Sequence, residues 1–348
     1  VSDLLDGVRW AAGLPVAGVP ANNTPARVIN LSFGGDASCS PAYQETINAA
    51  TDAGALVVAA AGNNGGALKR PADCERVMAV VAVRKDGFKA DYSDFGPQVA
   101  LSAPGGSDEA GTATLLYSID NPGATTPTPY SSLPDSSTHY GYKQGTSFAA
   151  PQAAGVASLM LAVNPSLSPR QLIERMRAGV RPHVPMAGLP VCGTAGVGPC
   201  SCTTTTCGTG LLDANMSVAL ATGPAVVIQP LAQVEPGTVI TLDGSQSVAI
   251  PGAQIVSYQW TQVSGPAVTI SSATSAVAQA TLRSEASYVF SLTAVDNLAR
   301  SGEDTVGAVA AMPVVAASGG GGSTGQLWGA SLWAWVIAMA LWQRRRRS

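Results

Sequence analysis

Histidine is almost missing from this sequence: 348 residues hold two, His139 and His183. Any chemistry that needs an imidazole base has only those positions to draw on. Charge is sparse as well, at 12% of residues with a net charge of −3. No basic footprint for nucleic acid exists, and such a partner is excluded. Spaced CxxC pairs are also lacking. The cysteines stand at 39, 74, 192, 200, 202 and 207, and "CSCTTTTCGTG" has no histidine partner, which argues against zinc and leaves no assigned metal site. No compact acidic loop of the EF-hand kind is present either, and Asp91, Asp94, Asp108 and Glu109 read as solvated surface charges. An initiating methionine and a signal peptide are absent. The chain opens inside a helical pattern, with Leu4, Leu5, Val8, Ala11 and Ala12 on one face, and is expected to be the rear portion of a longer protein.

What is present is apolar and rich in turn formers: 46% hydrophobic residues, 38 glycines and 24 prolines. That composition suits a compact secreted protein with long loops, and the length allows two or three domains. An even cysteine count fits disulfides formed in an oxidising compartment. Cys39 is expected to pair with Cys74. Cys192, Cys200, Cys202 and Cys207 are expected to form two bridges whose connectivity the sequence leaves open.

Residues 1–221 alternate helical patterns with short apolar runs: "RVINLSF" (27–33), "ALVVAAAG" (55–62), "VMAVVAV" (77–83) and "QVALSAPG" (98–105). Nearly continuous apolar runs are what strands covered on both faces require. Between the first two, residues 41–54 place Tyr43, Ile47, Ala50 and Ala53 on one helical stripe that ends at Gly54. Strand, helix, strand predicts a parallel α/β sheet with a right-handed crossover. Residues 106–140 form a long excursion rich in Gly, Ser, Thr and Pro, a length uncommon unless functional or mobile. Residues 224–316 switch to short β-rich segments, predicting an all-β immunoglobulin-like sandwich with Trp260 in its core. A glycine-rich linker (318–325) follows, and then an apolar stretch from Leu327 to Trp342 ahead of four arginines, Arg344 to Arg347. Tryptophans at both ends and the arginine cluster favour a membrane-inserted C-terminal helix over residues 327–348, with the arginines cytoplasmic.

Two short stretches carry chemistry. In "GYKQGTSFAAPQAAGVASLM", Ser147 stands where a helix of small residues begins. A helix start offers free N–H groups and a positive dipole end, and both favour negative charge developing beside the serine. Pro151 is expected near the first turn, where a missing N–H costs least, and the small residues imply that the helix is deeply buried. In "VVAAAGNNGG" a buried strand ends at Gly62 and Asn63, so that a carboxamide at the strand's C-terminal edge can aim its N–H₂ at an oxyanion. Either stretch alone reads as an N-cap or a turn; together with "VINLSFGG" they point to acyl transfer.

The segments "VINLSFGG", "VVAAAGNNGG", "ADYSDFG", "VALSAPGG" and "GTSFAAPQAAGVASLM" occur in the order found in subtilisin-like serine proteases, and residues 1–221 resemble that family. The resemblance implies that Ser147 is the nucleophile and that Asn63 donates to the oxyanion together with the backbone N–H of Ser147. It also implies that Ser32, Phe33 and Gly34 offer an extended edge to the substrate, and that Ala60, Ala61 and Gly62 wall the primary specificity pocket. The family's Asp and His precede the substrate-edge strand. Here about 26 residues precede it, none a histidine. His139 and His183 are both misplaced for the role, so the Asp and His are expected upstream and the chain alone is expected to be a poor catalyst. Gln152 replaces the histidine that many relatives carry after the helix proline. The loop from Asn63 to Pro71, part of which closes the pocket floor in relatives, is short. The small, apolar lining that matches predicts tolerance of large apolar residues before the cleaved bond. Calcium is implied by analogy only.

Residues 224–316 resemble a PKD-like module, a spacer or a binder of surfaces and polymers. The tail resembles the Gly-Gly C-terminal sorting signals of Gram-negative bacteria, which implies transient inner-membrane anchoring and cleavage by a membrane protease. The resulting expectation is a secreted or surface-displayed endopeptidase, monomeric and acting on polypeptides. The competing expectation is a non-catalytic adhesion or binding protein on a decayed protease scaffold.

Overall fold

The computed structural model describes residues 2–108, 114–123, 125–129, 140–185, 188–193 and 200–312. The chain divides into two compact units between Thr222 and Gly223.

The first unit is built on a four-stranded parallel sheet in the order β1 (Val28–Leu31), β2 (Leu56–Ala60), β3 (Val77–Val83) and β4 (Val99–Pro104). Every residue of β2 and β3 is buried, which is why these strands read as continuous apolar runs rather than alternating ones. α1 (Ser2–Ala11) buries Val8 against the core, with Leu4, Leu5 and Ala11 packed beside it. α2 (Pro41–Asp52) links β1 to β2. Pro41 opens it where no N–H is needed, and Tyr43, Ile47 and Ala50 face the sheet. Within the excursion that reads as irregular from sequence, β5 (Leu116–Ile119) and β6 (Tyr140–Lys143) pair as an antiparallel ribbon. That pairing brings Tyr117 opposite Tyr142, a contact between strands 20 residues apart that local pattern does not announce.

α3 (Thr146–Val163) packs across all four strands of the parallel sheet. Its inner face is Ala149, Ala150, Ala153, Ala157 and Met160, all fully buried. The alanines permit close approach of helix to sheet. By length and composition alone α3 could cross a membrane, yet this inner face belongs to the core of the unit. The outer face, with Pro151, Gly155 and Leu159, is exposed, so the helix is less deeply covered than its composition suggests. Pro151, expected near the first turn, lies inside the helix. An interior proline leaves the carbonyl four residues back without its donor, and here that carbonyl belongs to Ser147. The Ser32 hydroxyl donates to it instead, at 2.8 Å. α4 (Pro169–Ala178) begins with a full capping box between Ser168 and Gln171. α5 (Ala214–Ala221) is capped by Asp213, which accepts from the Met216 N–H. That bond and the Arg181 guanidinium hold the Asp213 carboxyl below its ordinary range.

All six cysteines are bridged. Cys39 joins Cys74 as the sequence predicts, and the remaining four resolve into Cys192–Cys200 and Cys202–Cys207. The second unit holds two three-stranded antiparallel sheets. One contains β7 (Thr238–Asp243), β9 (Ile270–Ser271) and β10 (Val277–Leu282). The other contains β8 (Ile255–Ser264), β11 (Ala286–Asp296) and β12 (Ser301–Ala310). Residues from both share one core, with Trp260, Tyr288, Phe290 and Leu292 against Ile240, Leu242 and Ala280. Trp260 is 1% exposed and donates its indole N–H to the Ser275 carbonyl, as a buried indole must. The linker 318–325 and the apolar tail 327–348 lie outside the described residues, as do His139 and Glu109.

Candidate active site

The C-terminal ends of β1 and β2 and the start of α3 converge on one cavity of about 230 Å³. Its lining includes Phe33 and Gly34 from the segment after β1, Ala60, Ala61, Gly62 and Asn63 from the end of β2, and Thr146 and Ser147 from the helix start. The sequence-derived residues thus come together, with one exception of detail: Ser32 lies beside the cavity and is occupied with Ser147. The Ser147 Oγ donates to the Ser32 carbonyl at 2.9 Å, while the Ser32 Oγ donates to the Ser147 carbonyl and itself receives a bond from Asn30 Nδ2 at 2.9 Å.

The Asn63 carboxamide is fixed by the helix it faces. Its Oδ1 accepts from the Thr146 backbone N–H and from the Thr146 Oγ1, both at 2.9 Å. Thr146 is fully buried, and its Oγ1 also receives the Gly62 N–H at 3.2 Å. α3 has no side-chain cap of its own, because Gly145 occupies the N-cap position. Asn63 therefore caps the helix from across the sheet. With Oδ1 committed to two donors, the hydrogen-bond network assigns the amide orientation, and Nδ2 is left for another acceptor. Gly145 adopts φ of +139°, and the point where its Cβ would sit is 3.8 Å from both Asn63 Nδ2 and the Ser147 nitrogen. The two nitrogens thus border one position, with Phe148 Cδ2 also 3.8 Å from it. The Gly145 N–H is itself held by the Gly105 carbonyl and the Tyr92 hydroxyl, each at 2.9 Å.

Asp94 departs from its sequence reading. It is 1% exposed, not a solvated charge. Its Oδ1 accepts the N–H groups of Asn64 and Gly66 at 2.9 and 2.8 Å, and its own N–H bonds to the Gly62 carbonyl. This carboxylate pins the loop that carries Asn63. Residue type alone places an aspartate at the surface because it says nothing about a loop's own donors, and satisfying them is the reason this one is inside. Asp91 is half-buried, with its carboxylate bonded to the Tyr92 N–H, and Asp108 is exposed. The cavity is also less apolar than expected, since Asp36, Lys69 and Asp94 join its lining. Lys69 is a residue that sequence reasoning missed. Its only signal was its position in the short loop before Pro71.

Among the described residues, no histidine lines this cavity. His183 sits in a second one of about 420 Å³, between Val180 and Thr209, where its Nε2 is 3.0 Å from the Gly208 carbonyl. Gln152 donates to the carbonyls of Pro104 and Phe148 and so ties α3 to the end of β4. Among the described residues, the groups with metal-ligand proximity are Cys192, Cys202 and Cys207, and Cys39, Asp73 and Cys74. Every sulfur in them is already in a disulfide.

A serine and an asparagine amide held at the C-terminal edge of a parallel sheet, at the mouth of a helix, define a protein of the subtilisin fold. Residues 1–182, over half of the 348, match the subtilase family, and the chain belongs to it. Residues 231–309 match a PKD domain family. The chain is 39% identical over 195 residues to an extracellular protease of Xanthomonas campestris pv. campestris, covering 56% of this chain and 31% of that protein. It is 38% identical over 179 residues to an extracellular basic protease of Dichelobacter nodosus, covering 50% and 27%. A solved protease structure from Pseudoalteromonas arctica superposes with a TM-score of 0.53 at 38% identity, over 63% of this chain and 58% of the other. The chain thus spans less than a third of the length of each of these two curated relatives.

Proposed function

We propose that the protein carrying this chain is a secreted serine endopeptidase that cleaves polypeptides through an acyl-enzyme on Ser147. The observation that carries this reading is the pair of hydrogen bonds that Thr146 donates to Asn63 Oδ1, which leaves the amide N–H₂ uncommitted while Asn63 Nδ2 and the Ser147 nitrogen border one space at Gly145. The substrate carbonyl sits in that space. Ser147 Oγ attacks its carbon, and the two N–H donors stabilise the oxyanion that forms. The hydroxyl proton passes to a histidine expected upstream, because no histidine among the described residues lines the cavity. The scissile chain lies along Phe33 and Gly34, and the side chain before the cleaved bond enters between that segment and Ala60 to Gly62. Secretion agrees with three disulfides and with relatives named as extracellular proteases. The apolar tail holds the protein in the inner membrane before release. A fluorophosphonate probe applied to the full-length protein tests the reading. It labels the native protein at Ser147 and does not label Ser147→Ala; equal labelling of both, or none of either, rejects it.

A further inference from the structure

We infer that Lys69 sets the charge preference of the pocket that receives the side chain before the cleaved bond. On this inference the pocket selects residues carrying a carboxylate or carbonyl acceptor, glutamate above all, over lysine and arginine. The inference rests on the protease reading above and deepens it.

Three charged residues line the cavity, and they are not equivalent. Asp94 is buried beneath the wall: one oxygen is taken by two backbone N–H groups, and the other is sealed against Gly62, where an added Cβ would collide with it. Neither oxygen is open to an entering side chain. Asp36 is exposed at the rim, so its field is screened by water and salt. Lys69 is half-buried and lines the cavity, and among the described residues its ammonium has no hydrogen-bond or ion-pair partner. Its backbone is held in place. The Lys69 carbonyl accepts the Asp73 N–H, and the next residue, Arg70, exchanges bonds with Ala37 and Gly35 on the opposite wall. The disulfide from Cys39 to Cys74 fastens the same two segments. Lys69 is thus a cation carried on a fixed base with its donors unspent.

Contact decides the sign. An incoming carboxylate can form a charge-assisted bond with the Lys69 ammonium, while it meets Asp94 only through the wall. An incoming ammonium or guanidinium shares the cavity with the like charge of Lys69, and finds Asp94 Oδ1 taken by two backbone N–H groups and Oδ2 buried. The apolar preference expected from the alanine walls is therefore overlaid by a charge selection that the alanines do not supply.

The test uses the full-length protein and three fluorogenic peptides that differ only in the residue before the cleaved bond, which is Glu, Leu or Lys. In Lys69→Gln the ratio of kcat/KM for the Glu peptide to that for the Lys peptide falls about tenfold or more, and Lys69→Arg retains most of it. A ratio that stays within about twofold in Lys69→Gln, with the Leu peptide still cleaved, overturns the inference and leaves the protease reading standing. Failure of the native protein to cleave any of the three, together with no fluorophosphonate labelling, removes both. Because the Glu and Lys peptides move in opposite directions, a merely structural loss, which lowers all three alike, is told apart.

Discussion

At the scale of single residues the site depends on the two ends of one carboxamide. Asn63 uses its oxygen to cap α3, and on the proposed mechanism its nitrogen serves the reaction. Substitutions separate these uses. Asn63→Ala removes both, so it lowers stability by about 1 kcal/mol through the lost cap and turnover by ~10²–10³ through the lost oxyanion donor. Asn63→Asp keeps an oxygen for Thr146 but offers no N–H₂. Its turnover falls at least as far, while its thermal midpoint stays closer to the native one. Steady-state kinetics and calorimetry on the full-length protein check this, and an Asn63→Asp variant with native turnover contradicts the role. That Ser147 and Asn63 come together was legible in the sequence, because a helix start and a strand end, each ordinary alone, occur in one chain with the substrate-edge segment, and the two residues line one cavity. Asp94 and Lys69 were not legible. Their meaning comes from what faces them in space, a pair of loop N–H groups in one case and a cavity in the other, and neither neighbour is adjacent in the chain.

At the scale of elements, the parallel strands were readable because burial on both faces leaves an unbroken apolar run, and β2 and β3 are buried throughout. The β5–β6 ribbon was not, since its register is set by pairing across 20 intervening residues. The same local logic reads Pro151 as near the first turn, whereas it lies inside the helix. Its true position creates a testable dependency between two elements. The Ser147 carbonyl lacks its helical donor, and Ser32 supplies one from the segment after β1. Ser32→Ala leaves that carbonyl unpaired and costs roughly 1–2 kcal/mol. In a Pro151→Ala background, the restored N–H of residue 151 satisfies the carbonyl, and the cost of Ser32→Ala shrinks by at least about half. A double-mutant cycle in urea measures this coupling. Strict additivity of the two changes refutes the substitution of Ser32 for the missing helix bond.

At the scale of the molecule, the change from buried strands to alternating β segments announced two bodies, and the structure has two compact units with separate cores. The disulfide pattern was half legible. Two distant cysteines left one pairing to expect, whereas four crowded between 192 and 207 admit several, and only folding selects Cys192–Cys200 with Cys202–Cys207. No histidine among the described residues lines the cavity that holds Ser147, so the decisive measurement uses the full-length protein. Its crystal structure after inactivation by a fluorophosphonate tests the account most directly. The account predicts phosphorus bonded to Ser147 Oγ, with the phosphoryl oxygen about 2.7–3.1 Å from both Asn63 Nδ2 and the Ser147 nitrogen. An adduct on another residue, or a phosphoryl oxygen turned away from Asn63 toward solvent, contradicts it.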